Sequence, residues 1–313
     1  SASEPLDIKN YIGLTGDTPI RFIASDVDGT LVNDAKSVDP EVVNAVRAAR
    51  ESGIRVAIAS GRAWHEMDDV IDAMPCLRYF VCTNGAYVMD KEGKKELVHI
   101  SFDKTRAIDL VRKLMTYGVF VEAYVKAEIF GQYPTVGNET LQAERFFRPN
   151  IRPFILKTRT MVPDLLAHLE SLPEGPEKIQ IFYGDERIRE RILADLRDDF
   201  QGAATDGKGR ERFYDVLESS EGNLEFVLPH TTKGTAVEAL ANHWGYTPDE
   251  VMTIGDSEND LSMIRFAGAS VAMGNARDNV KAAARYETTD NNNYGVARAL
   301  YSAIAHNREL EGK

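Results

Sequence analysis

The sequence predicts an α/β fold: a doubly wound, Rossmann-like parallel sheet built from both ends of the chain, with an α+β domain inserted into it. Three observations predict this. Short apolar runs alternate with helical stretches from Arg21 to Gly85, and the same alternation returns from Thr232 onward. Between them the rhythm changes to hairpins mixed with helices, which is how an open-faced α+β unit reads. The length of 313 residues suits two domains. The expected division is an extension over 1–20, a core over 21–87, an inserted domain over 88–223 and the rest of the core over 224–313.

The elements follow in order. The apolar run Arg21 to Ser25 reads as a buried strand ending at Asp26. Asp39-Pro40-Glu41 opens a helix with a cap residue, a first-turn proline and a first-turn acid, and Gly53 closes it. Ile54 to Ala59 is a second strand ending at Ser60-Gly61-Arg62; after a helix, Tyr79 to Cys82 is a third, ending at Thr83-Asn84-Gly85. Strands and helices alternating at this spacing imply a parallel sheet. Residues 86–100 read as a hairpin, and Asp103 to Tyr117 as a helix capped by Asp103. Strands are expected over 119–125, 129–133, 178–183, 213–217 and 224–228, helices over 163–172 and 185–198, and a loop over Gly202 to Glu211. The closing run is helix (232–244), strand (251–254), helix (258–266), strand (269–272) and two helices, 276–284 and 296–305.

Composition excludes several functions. Lys and Arg number 37 against 49 Asp and Glu, a formal charge of −12, which argues against nucleic acid as a partner. No stretch reaches the roughly 18 apolar residues of a membrane span. Residues 1–20 do not look like a secretory signal and read as a loosely held extension. Two cysteines, Cys76 and Cys82, make no disulfide framework, which fits a reducing, cytoplasmic setting.

The chemistry lies at the strand ends. Asp26, Ser60 and Asp256 each follow an expected strand, and ligands of an open parallel sheet bind beyond those carboxyl ends. Asp26, Asp28, Asp256 and Asp260 would crowd one crevice. Two like charges about 4 Å apart repel by roughly 4 kcal/mol at an effective dielectric of 20. Such a cluster calls for a hard divalent cation, and magnesium suits carboxylate, water and phosphate oxygens. Lys233 and Arg62 stand near helix N-termini, where a cation is disfavoured. An adjacent phosphate, held with the Ser60 hydroxyl, would account for them.

Four motifs resemble, in order, those of the haloacid dehalogenase superfamily: Asp26-Val27-Asp28-Gly29-Thr30, Ala59-Ser60-Gly61-Arg62, Thr232-Lys233-Gly234 and Gly255-Asp256-Ser257-Glu258-Asn259-Asp260. Thr83-Asn84-Gly85-Ala86 and the large insert look like its Cof-type branch of sugar-phosphate phosphatases, which carries an α/β cap over the core. The resemblance implies magnesium-dependent hydrolysis of small phosphate monoesters, with a small phosphorylated metabolite as substrate. Asp26 would be the nucleophile, forming an aspartyl phosphate. Asp28 would be the general acid and base, and Lys233 would stabilise charge. Ser60, Gly61, Arg62, Asn84, Lys233 and Asn259 would contact the phosphate. Asp26, the Asp28 carbonyl and Asp256 would hold magnesium. Asn259 and Asp260 would either tune the metal or orient Lys233.

Plainer readings stand beside these. An isolated Asp-x-Asp-Gly is a turn, and Ser257 caps a helix. Arg62 could equally be a capping or surface residue. Glu122, Tyr124, Lys126 and Tyr133 could face the substrate, but each alone reads as ordinary cap surface or core. His230 reads as structural, and Trp64 and Trp244 as core. Two alternative functions share the motifs: a phosphotransferase or phosphomutase, and a binding protein that has lost the chemistry.

Overall fold

The computed structural model describes residues 12–200, 212–219 and 221–312. They form two compact units: residues 12–62, 67–98 and 232–312 make a core, and residues 63–66 with the described part of 99–231 make a second unit, here called the cap.

The first half of the core starts with β1 (Phe22–Asp26), buried along its whole length. It carries no polar–apolar alternation because both of its faces are covered. Next comes α1 (Pro40–Glu51), which buries Val42, Ala45, Val46 and Ala49 on one stripe. Pro40 opens it as expected. Asp39, at the cap position, makes no capping bond; its Oδ1 accepts from Asn33 Nδ2 instead, at 2.9 Å. Then follow β2 (Arg55–Ala59), α2 (Asp68–Ala73), β3 (Tyr79–Cys82), β4 (Tyr87–Asp90) and β5 (Lys95–His99).

The cap carries α3 (Lys104–Met115), β6 (Phe120–Val125), β7 (Glu128–Gln132), α4 (Glu139–Phe146), α5 (Arg152–Thr158), β8 (Thr160–Met161), α6 (Leu165–Ser171), β9 (Lys178–Phe182), α7 (Glu186–Phe200), β10 (Asp215–Ser219) and β11 (Asn223–Val227). Asp103 caps α3 as expected, accepting from Arg106 N–H. The strands stand in the order β10-β11-β9-β6-β7-β8, antiparallel except for β7 with β8. Val121, Ala123, Ile179, Ile181, Leu224 and Phe226 form one apolar face, packed with Ile108, Val111, Leu165 and Ile192 from the helices. The strand period of two puts Glu122, Tyr124 and Gln180 on the other face.

The core resumes with α8 (Lys233–Trp244), β12 (Val251–Gly255), α9 (Leu261–Phe266), β13 (Ala269–Ala272), α10 (Asp278–Ala283), β14 (Tyr286–Glu287) and α11 (Gly295–Glu311). Its sheet runs β14-β13-β12-β1-β2-β3-β4-β5. The six strands from β14 to β3 are parallel to their neighbours, and β4 is antiparallel to β3. β1 lies between β12 and β2, so strand order reverses there. That reversal opens a crevice at the carboxyl edge, where Asp26 emerges.

Three expectations are corrected. Residues 88–98 belong to the core, because β4 pairs with β3. Residues 224–231 belong to the cap, because β11 pairs with β9 and β10. The unit boundaries therefore fall at 98/99 and 231/232, not at 87/88 and 223/224. The segment 12–20 is not loosely held. Ile12 and Ile20 are buried, Ile12 N–H donates to Ser302 Oγ at 2.9 Å, and Ile20 exchanges two hydrogen bonds with the Asn307 amide. Residues 1–11 and the loop expected over Gly202 to Glu211 lie outside the described residues.

Candidate active site

Asp26 is the last residue of β1 and is 5% exposed. The chain then makes one wide turn over Val27–Leu31, closed by Val32 N–H donating to the Val27 carbonyl at 3.1 Å. Gly29 sits in it at φ 74°, a left-handed conformation that favours glycine. A side chain there would also strike the Asp256 carboxylate, since a Cβ would lie 2.3 Å from Oδ2. The glycine thus lets Asp256 approach the Asp28 loop. Thr30 Oγ1 donates to Asp256 Oδ1 at 3.0 Å and fixes that approach.

Lys233 is the first residue of α8, opened by Thr232 with a capping box. It is 1% exposed, and its ammonium donates to Asp26 Oδ1 at 2.7 Å and to Asp260 Oδ1 at 2.8 Å. These two carboxylates explain a cation at a helix N-terminus. Asp260 is fully buried, and its other oxygen accepts from the N–H groups of Asp256 at 2.9 Å and Ser257 at 3.1 Å. Both Asp260 oxygens are therefore engaged. It orients Lys233 and the turn after β12.

The carboxylate oxygens of Asp26, Asp256 and Asp260 lie within 4.8 Å of one another. Burial pushes the Asp26 carboxyl well above the usual carboxylate range; Asp260 and Asp256 add to this, and Lys233 opposes it. Burial also raises the Asp256 carboxyl. Burial alone would lower the Lys233 ammonium, but Asp26 and Asp260 more than offset it and hold it above its ordinary value. The Asp26 and Asp256 carboxylates face each other, with oxygens no more than 4.8 Å apart. Two carboxylates so placed need a proton or a cation between them. The donor set fits a hard divalent ion: all oxygen, with Asp26 and Asp256 as carboxylates and the Asp28 carbonyl on the adjoining turn.

The other expected residues divide. Ser60, buried after β2, accepts through Oγ from Arg62 N–H at 3.0 Å, and its carbonyl accepts from Asn84 N–H at 2.9 Å. Asn84 adopts φ 54° beside Gly85 at φ 104°. Gly85 lies against the start of α8, where a Cβ would fall 2.1 Å from the Thr232 carbonyl oxygen. That close contact brings the Asn84 turn and Lys233 together. Thr83 Oγ1 and Asn84 Oδ1 are buried without a hydrogen-bond partner among the described residues, as suits a place where a ligand supplies one. Asn84 lies against Gly61. Arg62 grips the Asp28 carboxylate with two donors, Nε at 3.0 Å and Nη2 closer still, and lies 3.6 Å from Asp69. Asn259 is exposed and accepts from Ser257 Oγ at 2.6 Å.

Sequence reasoning missed Thr30 and Asn275. Asn275 Nδ2 donates to the Gly29 carbonyl at 2.8 Å. Thr30 stood inside a quoted motif. Asn275 had no signal, because its partner is 246 positions away. In the cap, Glu122 is fully buried in a two-fold ion pair with Arg159, at 2.8 Å for each bond, and Tyr133 is packed on Phe120. These are structural roles.

The sequence profile described as haloacid dehalogenase-like hydrolase matches residues 23–300. Phosphatase YwpJ of Bacillus subtilis is 30% identical over 290 residues, 90% of this chain and 99% of its own. Pyridoxal phosphate phosphatase YbhA of Escherichia coli is 27% identical, with 91% and 98% covered. The crystal structure of a haloacid dehalogenase-like hydrolase from Bacteroides thetaiotaomicron is similar with a TM-score of 0.73 at 27% identity, over 90% of this chain and 98% of that one. The chain belongs to the haloacid dehalogenase-like hydrolases, as a phosphatase of their Cof-type branch.

Proposed function

We propose that the chain hydrolyses small phosphate monoesters, sugar phosphates first among them, with magnesium, through a phosphoryl group carried on Asp26. The observation that carries the reading is the buried constellation of Asp26, Lys233, Asp256 and Asp260 at the strand-order reversal. The name of the Escherichia coli relative gives it pyridoxal phosphate, another small phosphorylated compound.

Asp26, Asp256 and the Asp28 carbonyl would hold the ion. When bound, it offsets the charge of the phosphate and of the facing carboxylates, so that Asp26 is ionised at neutral pH. Lys233 holds one Asp26 oxygen, directing the carboxylate, and its positive charge stabilises the phosphoryl group in transfer. Asp26 attacks phosphorus, and the ester oxygen leaves with a proton from Asp28. Asp28 then takes a proton from water as the water attacks the same phosphorus and frees Asp26. Ser60, Asn84 and Arg62 would serve as phosphate or positioning groups, and Asn259, exposed on the turn after β12, would stand further out. No described helix is long and apolar enough to cross a membrane. Cys76 and Cys82, which form no disulfide, suit the cytoplasm.

The test is phosphate release from a panel of sugar phosphates, pyridoxal phosphate, flavin mononucleotide and nucleoside monophosphates, ranked by kcat/KM. Turnover should vanish with chelator and return with magnesium. Asp26→Asn should remove it on every substrate. Release by Asp26→Asn at the wild-type rate would refute the reading.

A further inference from the structure

The turn that carries Asp28 has a soft point beside it. Gly29 has no side chain to restrict its backbone, so its torsions are set by what its peptide groups bond to. Its carbonyl accepts from Asn275 Nδ2 at 2.8 Å. Asn275 is itself held: its Oδ1 accepts from Asn291 N–H at 3.1 Å. Asn291 is 6% exposed, and its Nδ2 donates to the Val32 carbonyl at 3.1 Å and to Asp34 Oδ1 at 3.0 Å. Asn292 closes the far side, donating to Asp34 Oδ2 at 2.9 Å and accepting from Asp34 N–H at 3.0 Å. The loop over 29–34 is thus tied at both ends to the stretch over 275–292.

The same stretch grips the other side of the site. Arg277 N–H donates to the Asp256 carbonyl at 3.0 Å, and Met273 N–H to the Gly255 carbonyl at 3.0 Å. The short turn after β13 therefore holds the Asp28 loop through a side chain and the Asp256 loop through its backbone. Asn275 is exposed and touches neither Asp26 nor Lys233 in any hydrogen bond described.

From this geometry we infer that Asn275, oriented by Asn291, is a positioning residue for Asp28: it fixes the Gly29 peptide and with it the aim of the general acid. The inference rests on the role given to Asp28 above. An acid is needed most when the leaving oxygen is a poor leaving group and least when it is a good one. A mispositioned Asp28 therefore slows alkyl esters more than aryl esters, whereas loss of folded protein slows both alike.

The experiment compares kcat/KM on p-nitrophenyl phosphate with that on the alkyl phosphate which the wild type turns over fastest. Asn275→Ala removes the bond. Asn275→Asp keeps the shape and the acceptor for Asn291 but loses the donor to Gly29. Both should lower the alkyl value about ten- to a hundredfold and the aryl value far less, as a small misplacement of a reacting group does. Melting temperature should not move. Asn293→Ala, whose side-chain amide donates to Asp290 and to nothing else among the described residues, serves as the control. Asp28→Asn should show a larger split of the same sign. Equal losses on both esters, or none, in the Asn275 variants overturn the inference while Asp28→Asn still splits. No split in Asp28→Asn means the role of Asp28 is wrong, and the inference falls with it.

Discussion

Lys233 ties the site together through two short bonds, to Asp26 and to Asp260, with all three side chains nearly or fully buried. Replacing it by Met would leave two buried carboxylates without their cation. Breaking a buried pair this way costs about 3–5 kcal/mol, so Lys233→Met should lower the urea midpoint clearly and lose turnover as well; unchanged stability would contradict the arrangement. The raised Asp26 carboxyl gives a second prediction. A group whose folded pKa lies above its unfolded value of about 3.9 contributes stability below that value and loses it as pH rises through the folded pKa. The metal-free protein should therefore lose stability as pH rises. Magnesium bound as proposed would remove the penalty, so its gain in melting temperature should be larger at about pH 8 than at about pH 5. A gain independent of pH would argue against it. At this scale the convergence of Asp26, Lys233 and Asp256 was legible, because each follows a strand or opens a helix. The part played by Asp260 was not: a carboxylate that orients a lysine and one that holds a metal have the same sequence spacing.

The elements show a different balance. The longer cap strands were legible as strand-like runs, but the two-residue β8 and the helices α4 and α5 were not. In α4 Gln142 is buried while Leu141 is 63% exposed, which inverts the expected stripe. Seven-residue α5 buries only Ile155 and exposes Phe154 and Leu156. The polar face of the cap sheet is organised by Arg159, whose guanidinium donates to Glu122 and Glu66 at 2.8 Å and to Tyr124 Oη at 3.2 Å. Gln180 and Asn223 extend the chain of bonds across β9 and β11. Arg159→Met should destabilise the cap by about 3–5 kcal/mol, since it takes the guanidinium away from the buried Glu122 and Glu66 carboxylates. Arg159→Lys should recover only part, because an ammonium cannot make the two parallel bonds to Glu122. Chemical denaturation measures both, and full recovery by lysine would show that charge alone matters.

At the scale of the whole molecule, the division into core and insert was legible and its borders were not. A two-residue period marks a strand but does not say which sheet it joins; β4 and β11 were assigned to the wrong units because only their partners decide that. The formal charge of −12 also acts at this scale. It should repel a phosphorylated substrate at a distance, even though the proposed ion and Lys233 would attract it at the site. Raising ionic strength from about 0.02 to 0.2 M, at saturating magnesium, should therefore raise kcat/KM modestly as that repulsion is screened. A steep fall would mean that a positive field governs approach. The central claim is that Asp26 carries the phosphoryl group. Acid quenching during turnover of a radiolabelled substrate, followed by peptide mapping, tests it most directly. The account predicts a hydroxylamine-labile phosphate on the peptide containing Asp26, absent from Asp26→Asn. A label on another residue, or full turnover with no label at any quench time, would contradict it.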